Sequence, residues 1–121
     1  MKKILVAEDD KFLGNAYRAK LTKEGFEVKI ALDGEETIAA LSTFTPDLIL
    51  LDLVMPKKDG FTVLAELKKN PNFQKIPVII ASNLGQKEDI DRAMAEGADD
   101  YIVKSDLSMD DLMAKINSFI N

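Results

Sequence analysis

Short apolar runs recur along the chain, and some are four residues long without a polar interruption. Ile4–Ala7 and Leu48–Leu51 are runs of this kind, which suit strands buried on both faces of a parallel sheet. The segment Phe26–Ala31 is more polar, so we expect it at an edge of the sheet. We predict five strands on this basis, namely Lys3–Ala7, Phe26–Ala31, Asp47–Leu51, Pro77–Ala81 and Tyr101–Val103.

The segments that separate these strands carry apolar residues at helical spacing. Capping residues and glycines mark the ends of the predicted helices. Lys11–Glu24 is the first predicted helix, and Gly25 ends it. Asp33 with Glu36 resembles a capping box at the start of the second helix. A fourth helix is predicted from about Gln86 to Gly97, and Ser108 with Asp111 can cap a fifth. The residues predicted on apolar helix faces are Phe12, Leu13, Ala16, Tyr17, Leu21, Ile38, Leu41, Phe44, Phe61, Leu64, Leu67, Ile90, Ala93, Met94, Leu112, Met113, Ile116, Phe119 and Ile120.

Five strands that alternate with five helices predict an α/β fold with a parallel sheet and helices on both faces. The 121 residues suffice for one domain, so we expect residues 1–121 to form a single unit. No apolar run approaches the length of about 20 residues that a membrane span requires, and acidic residues follow Ala7 before a signal peptide could form. We therefore expect a cytoplasmic protein that does not enter a membrane.

Composition restricts the chemistry that is available. The chain has no cysteine and no histidine, which removes thiol chemistry, the commonest general base and the commonest transition-metal ligand. The formal net charge of −5 argues against nucleic-acid binding, because such binding depends on a basic patch that neutralises phosphates. Methionines in the last predicted helix are expected in the core.

Polar residues collect where the predicted strands end. Glu8, Asp9 and Asp10 follow the first strand, Asp52 follows the third, Ser82 the fourth and Lys104 the fifth. If these strands are neighbours, the side chains meet at one edge of the sheet, where open parallel sheets bind ligands. Crowded carboxylates favour a hard divalent cation, and Mg²⁺ binds carboxylates together with phosphate oxygens. A carboxylate, a cation, a hydroxyl and a lysine match the requirements of phosphoryl transfer.

In order and spacing, these motifs resemble those of a response regulator receiver domain of two-component signalling, the CheY-like family, over the whole chain. The matching motifs are Glu8-Asp9, Asp52 with Met55-Pro56 and Asp59-Gly60, Pro77, Ser82, Gly97-Ala98 and Tyr101 through Lys104. The resemblance implies a doubly wound (βα)5 fold of flavodoxin-like topology, with five parallel strands in the order 2-1-3-4-5. It also implies a signalling domain and not an enzyme with a separate substrate. Such a domain assists the phosphorylation and dephosphorylation of its own aspartate.

The resemblance also implies a role for each matching residue. Asp52 would be the phosphoacceptor. Asp9 would bind Mg²⁺ directly and Glu8 through water, and the backbone carbonyl of Val54 would complete the site. Asp10 lies outside the usual acidic pair, and we interpret it as a helix cap or a local charge.

Three further residues would respond to the phosphoryl group. Lys104 would pair with its oxygens, and the hydroxyl of Ser82 would bond one of them and draw its loop inward. Tyr101 would then change between an exposed and an inward rotamer, which makes it part of a phosphorylation switch. Without the resemblance to the family, we would interpret Lys104 as an ordinary surface lysine and Tyr101 as a half-buried aromatic residue on an edge strand.

The chain departs from the family pattern near two of these residues. Ser105 follows Lys104 where such domains usually carry a proline in a cis peptide, so we expect a trans bond here or a strained cis bond. Asn83 follows Ser82 where a small apolar residue is usual. Val54 and Leu84 are both apolar, whereas the resemblance suggests polar side chains there in receivers that lose phosphate quickly. We therefore predict a long-lived phosphoryl group.

Three other classes of protein are alternatives to a receiver domain. A flavodoxin-type domain would need a phosphate loop after the first strand, where Glu8 and its acidic neighbours would repel phosphate. A haloacid-dehalogenase-like phosphatase would need an acid two residues after Asp52, where Val54 stands. A pseudo-receiver, which binds partners without phosphorylation, stays open because of Asn83 and Ser105.

The predicted partners follow from the receiver interpretation. A histidine kinase or phosphotransfer protein would supply the phosphoryl group, since the chain has no histidine of its own. We expect a stand-alone regulator that acts on an unidentified protein through its fourth helix, fifth strand and fifth helix, without nucleic acid. It would be a monomer or a phosphorylation-dependent dimer.

Overall fold

A computed structural model describes residues 1–120, and it contains the predicted alternation of strands and helices. The elements in chain order are β1 Lys3–Ala7, α1 Lys11–Lys23, β2 Glu27–Ala31, α2 Gly34–Ala40, β3 Leu48–Leu51, α3 Gly60–Lys69, β4 Val78–Ser82, α4 Lys87–Ala95, β5 Asp100–Val103 and α5 Met109–Ile120. These bounds differ from the predicted strand ends and from the first helix by at most one residue.

The five strands form one parallel sheet in the order β2-β1-β3-β4-β5, which confirms the predicted topology and the edge position of β2. The register pairs Ala7 with Leu51 and Ile80 with Leu51. The residues that follow β1 and β3 therefore emerge side by side, at the point where the strand order reverses. Crevices at such reversals are where open α/β sheets bind ligands.

Alternate residues of each strand enter two separate cores. Ile4 and Val6 lie on one face of the sheet, where α1 and α5 cover them. Leu5 and Ala7 lie on the other face, beneath α2, α3 and α4. Most of the strand residues in the centre of the sheet are fully buried, which explains why their sequences are continuous apolar runs.

Several helix ends are fixed by the residues that the sequence indicated. Asp10 is the N-cap of α1 and accepts a hydrogen bond from the amide of Leu13 at 3.1 Å. Asp33 caps α2 through the amide of Glu36 at 2.8 Å, while the Glu36 carboxylate accepts from the amide of Leu32. Ser108 likewise accepts from the amide of Asp111. Gly25 and Gly97 adopt positive φ values of 95° and 109°, as helix stops require.

Four apolar residues assigned to helix faces are exposed instead, namely Phe12, Ala16, Met94 and Phe119. The exposed fractions are 91% for Phe12, 43% for Met94 and 37% for Phe119. On α1 the inward stripe consists of Leu13, Tyr17 and Leu21, and Phe12 lies one residue before it. Apolar spacing thus located the buried face, but it did not show which apolar residues lie outside that face.

Candidate functional site

The carboxyl ends of β1, β3, β4 and β5 surround one open cavity. Its lining contains all the residues that the sequence placed at strand ends, and it adds part of the loop after β4. The lining residues are Glu8, Asp9, Asp10, Asp52, Val54, Ser82, Asn83, Leu84 and Lys104. The parallel register therefore brings together side chains that are far apart in sequence.

Three carboxylates converge in this cavity. Glu8, Asp9 and Asp52 each offer an oxygen, and these oxygens all lie within 4.8 Å of one another. Glu8 and Asp52 are buried, at 2% and 6% exposed, whereas Asp9 is exposed. Asp10, which was assigned outside the acidic pair, takes no part in this cluster and instead caps α1.

Lys104 reaches two of the three carboxylates. Its Nζ lies 2.5 Å from Glu8 Oε1 and 3.1 Å from Asp52 Oδ2. Burial alone would lower the pKa of Lys104, but the hydrogen bond that it donates to Glu8 and the charge of Asp52 raise this pKa. Burial raises the pKa of Glu8, and the bond from Lys104 acts in the opposite direction. One ammonium faces three carboxyl groups, so the fully ionised cluster keeps a net negative charge.

The loop after β3 holds Asp52 from its other side. The amide of Val54 donates to Asp52 Oδ1 at 3.3 Å, and the side chain of Val54 is 60% exposed at the cavity. The amide of Gly60 donates to the carbonyl of Leu53 at 2.9 Å and closes the base of the loop. A Cβ at Gly60 would lie 2.2 Å from the carbonyl oxygen of Asp52, so only glycine permits this approach.

Ser82 and Tyr101 meet at the loop after β4. The buried Ser82 Oγ accepts a hydrogen bond from the amide of Leu84 at 3.2 Å, and the Tyr101 hydroxyl donates to the carbonyl of Leu84 at 2.5 Å. Burial raises the pKa of Tyr101, while a contact with Ser82 lowers it. Leu84 is thus held through both of its backbone polar groups.

Two features of this region were not predicted from the sequence. The acceptor for Tyr101 is a backbone carbonyl, and no residue type signals that role. Tyr17 lines a small cavity beside Lys104, and burial raises its pKa to about 12. The sequence left the Lys104–Ser105 bond as either trans or strained cis, and it is trans, since no cis peptide occurs among residues 1–120.

The donor set fits the predicted Mg²⁺. All three side-chain donors are carboxylate oxygens, which this cation prefers, and they converge closely enough for one ion to contact more than one of them. The cavity opens to solvent at Asp9, so water and phosphate oxygens could fill the remaining positions.

Comparison with known proteins agrees with the geometry. The family model for the response regulator receiver domain matches residues 4–117. The DNA-binding dual master transcriptional regulator RpaA of Synechocystis is 34% identical over 120 residues, which cover 99% of this chain and 49% of that protein. The receiver domain of the Francisella response regulator 1452 superposes with a TM-score of 0.90 at 34% identity, covering 98% and 96% of the two chains. The Mn²⁺-bound form of response regulator Rcp1 superposes with a TM-score of 0.82 at 32% identity, covering 98% and 91%.

The chain therefore belongs to the response regulator receiver domain family of two-component systems. It spans about half the length of curated relatives such as RpaA. Some of those relatives are named as DNA-binding or transcriptional regulators, so the expectations of a stand-alone protein without nucleic acid stay predictions. No helix among the described residues is long and apolar enough to cross a membrane.

Proposed function

We propose that this chain accepts a phosphoryl group on Asp52 from a phosphohistidine of a kinase or phosphotransfer partner, in a reaction that requires Mg²⁺. The observation that carries the proposal is the position of Asp52, a buried carboxylate between Lys104 and the oxygens of Glu8 and Asp9. Glu8, Asp9, Asp52 and the carbonyl of Val54 would hold the cation. When bound, Mg²⁺ supplies positive charge that neutralises the equatorial phosphoryl oxygens.

The transfer is a nucleophilic displacement at phosphorus. An oxygen of Asp52 attacks the phosphorus, the P–N bond to the donor imidazole breaks, and the imidazole keeps the electron pair and takes a proton. Lys104 already lies 3.1 Å from Asp52 Oδ2, so its ammonium is placed to pair with the incoming oxygens. The amide of Val54 holds the other oxygen of Asp52 and fixes the plane of the carboxylate. Such positioning accounts for most of the catalysis in this chemistry.

The readout would begin at Ser82. Its Oγ accepts from the amide of Leu84, which leaves the hydroxyl hydrogen available to donate to a phosphoryl oxygen. A shift of Ser82 would move Leu84 and the Tyr101 hydroxyl bonded to its carbonyl. This two-state element links the site to α4, β5 and α5, which we propose as the surface that contacts a downstream protein.

The test is incubation with Mg²⁺ and a small acyl phosphate, followed by intact mass measurement. We expect one phosphoryl adduct in the wild type, none in Asp52→Asn and none when the metal is chelated. Asp10→Asn serves as the matched control, because Asp10 lies in the same cavity but outside the acidic cluster, and asparagine caps a helix as well as aspartate. A wild type that never gains the adduct would favour the pseudo-receiver alternative.

A further inference from the structure

The first turn of α2 lies so close to the loop after β3 that there is no room for a side chain at Gly34. A Cβ at this position would lie 1.9 Å from the carbonyl oxygen of Lys58 and 2.6 Å from its carbonyl carbon. These are backbone atoms, so no rotamer change could relieve the overlap. Gly34 does not have a positive φ, unlike Gly25 and Gly97. Glycine is therefore required here because the backbones of α2 and the loop approach closely, and not because of its conformational freedom.

The same loop is strained where it meets α2. Lys57 adopts a left-handed φ of 68°, and it is the one non-glycine residue among residues 1–120 that does so. Its Nζ lies 3.7 Å from Asp33 Oδ2, and the amide of Lys58 donates to the carbonyl of Pro56 at 2.8 Å. A conformation of this kind costs free energy and persists where the surroundings enforce it.

The loop is also fixed at its base. Gly60 packs so closely against the backbone of Asp52 and Leu53 that a Cβ at this position would overlap with their atoms. The segment from Leu53 to Asp59 is therefore closed at its base by Gly60, and α2 meets it at Lys58, near its C-terminal end. Val54 lies within it, and its amide donates to Asp52. Because the loop is short and its two ends are joined by the hydrogen bond from Gly60 to Leu53, a displacement at Lys58 would reach Val54.

We propose that Gly34 is a positioning residue for the phosphorylation site, which acts through the loop after β3 and keeps Val54 at the distance that cation binding requires. This inference rests on the proposed function, because it assumes that Val54 contributes to the cation site. A methyl group at Gly34 must push Lys58 outward, and the loop carries Val54 with it. Gly34 is not among the residues that line the cavity.

The test is calorimetric titration of the protein with Mg²⁺, without any phosphoryl donor. We expect Gly34→Ala to bind Mg²⁺ about tenfold more weakly, the lower end of the loss seen when a residue that supports metal ligands is changed. Gly14→Ala is the matched control, since a Cβ there meets only the Ile30 side chain at an ordinary 3.6 Å. Ile116→Val is a second control, which loosens the core on the α5 side of the sheet without touching the loop.

A loop-specific readout separates positioning from a general loss of stability. In ¹⁵N-labelled protein the amide signal of Val54 should shift in Gly34→Ala and stay in place in both controls. Folded Gly34→Ala with the Mg²⁺ affinity of the wild type overturns the inference. Absence of Mg²⁺ binding by the wild type itself would instead overturn the proposed function.

A second variant covers the case in which Gly34→Ala does not fold by circular dichroism. Adding Lys58→Gly removes the Lys58 Cβ, which is also 2.6 Å from the new methyl group, and frees the backbone to retreat. We expect this double variant to fold and to bind Mg²⁺ more weakly than Lys58→Gly alone. Equal affinities of the two proteins would overturn the inference.

Discussion

Replacing Asp9 with asparagine should stabilise the protein in the absence of metal. Its carboxylate lies within 4.8 Å of oxygens on Glu8 and Asp52, and no described ion pair joins it to Lys104. Asp52→Asn is a less clean change, because it also removes the ion pair between Asp52 and Lys104. Asp9→Asn removes repulsion and costs no such contact.

The magnitude follows from Coulomb's law. Two unit charges 4.8 Å apart repel by about 0.9 kcal/mol in water and by about 3.5 kcal/mol at an effective dielectric constant of about 20. Asp9 is exposed, so the lower value applies, and its two neighbours together give about 2 kcal/mol. One ammonium charge against two carboxylate charges at comparable distances offsets about half of this repulsion, which leaves a gain of about 1 kcal/mol in the free energy of unfolding. For a domain of this size that is about 4 °C in the melting temperature.

The assay is thermal unfolding in chelator, at low and at high salt, with Asp10→Asn as the control that removes one negative charge outside the cluster. We expect the gain to shrink at high salt, because exposed charges are screened. In excess Mg²⁺ the order should reverse, since the wild type gains stability by mass action and the variant has lost a ligand. A melting temperature for Asp9→Asn at or below that of the wild type in chelator would refute the reasoning.

Three other changes have defined outcomes. Tyr17→Phe should reduce the loss of stability between about pH 10 and 12. The pKa of Tyr17 is about 12 in the folded protein and about 10 when unfolded, so the unfolded chain loses the phenolic proton first and stability falls as pH rises through that window. Alkaline unfolding curves identical to those of the wild type would contradict this. Ser82→Ala should still accept phosphate on Asp52, but the amide signal of Leu84 should no longer shift on phosphorylation, and a wild-type shift would exclude the role of the hydroxyl. Val54→Asn and Leu84→Glu should each shorten the lifetime of the adduct after the donor is removed, because both apolar side chains line the cavity that water must enter; decay no faster than in the wild type would rule this out.

The sequence was sufficient to predict the sheet and the acidic cluster. Continuous apolar runs identified the buried strands, and the acids that follow Ala7 and Leu51 had to meet once those strands were parallel neighbours. The resemblance to receiver domains predicted the strand order, and with that order the convergence of Glu8, Asp9 and Asp52 follows from the parallel register. Asp10 follows the acidic pair, and of the two roles expected for it, a helix cap or a local charge, the structure shows the cap.

Other features depend on tertiary distances that a sequence does not encode locally. Lys104 contacts Glu8 as well as Asp52, although 96 residues separate Lys104 from Glu8. Tyr101 selects the carbonyl of Leu84, a group that every residue carries. The need for glycine at position 34 arises from the loop after β3, and nothing in the flanking residues of α2 signals it.

The central claim is that Asp52 is the residue that carries the phosphoryl group. Borohydride reduction of an aspartyl phosphate yields homoserine, so the phosphorylated protein can be reduced, digested and mapped by tandem mass spectrometry. We expect homoserine at position 52 and at no other acidic residue, only when Mg²⁺ and the phosphoryl donor are both present. Homoserine at Asp9 or Asp10, or unmodified Asp52 in protein whose intact mass shows the adduct, would contradict it.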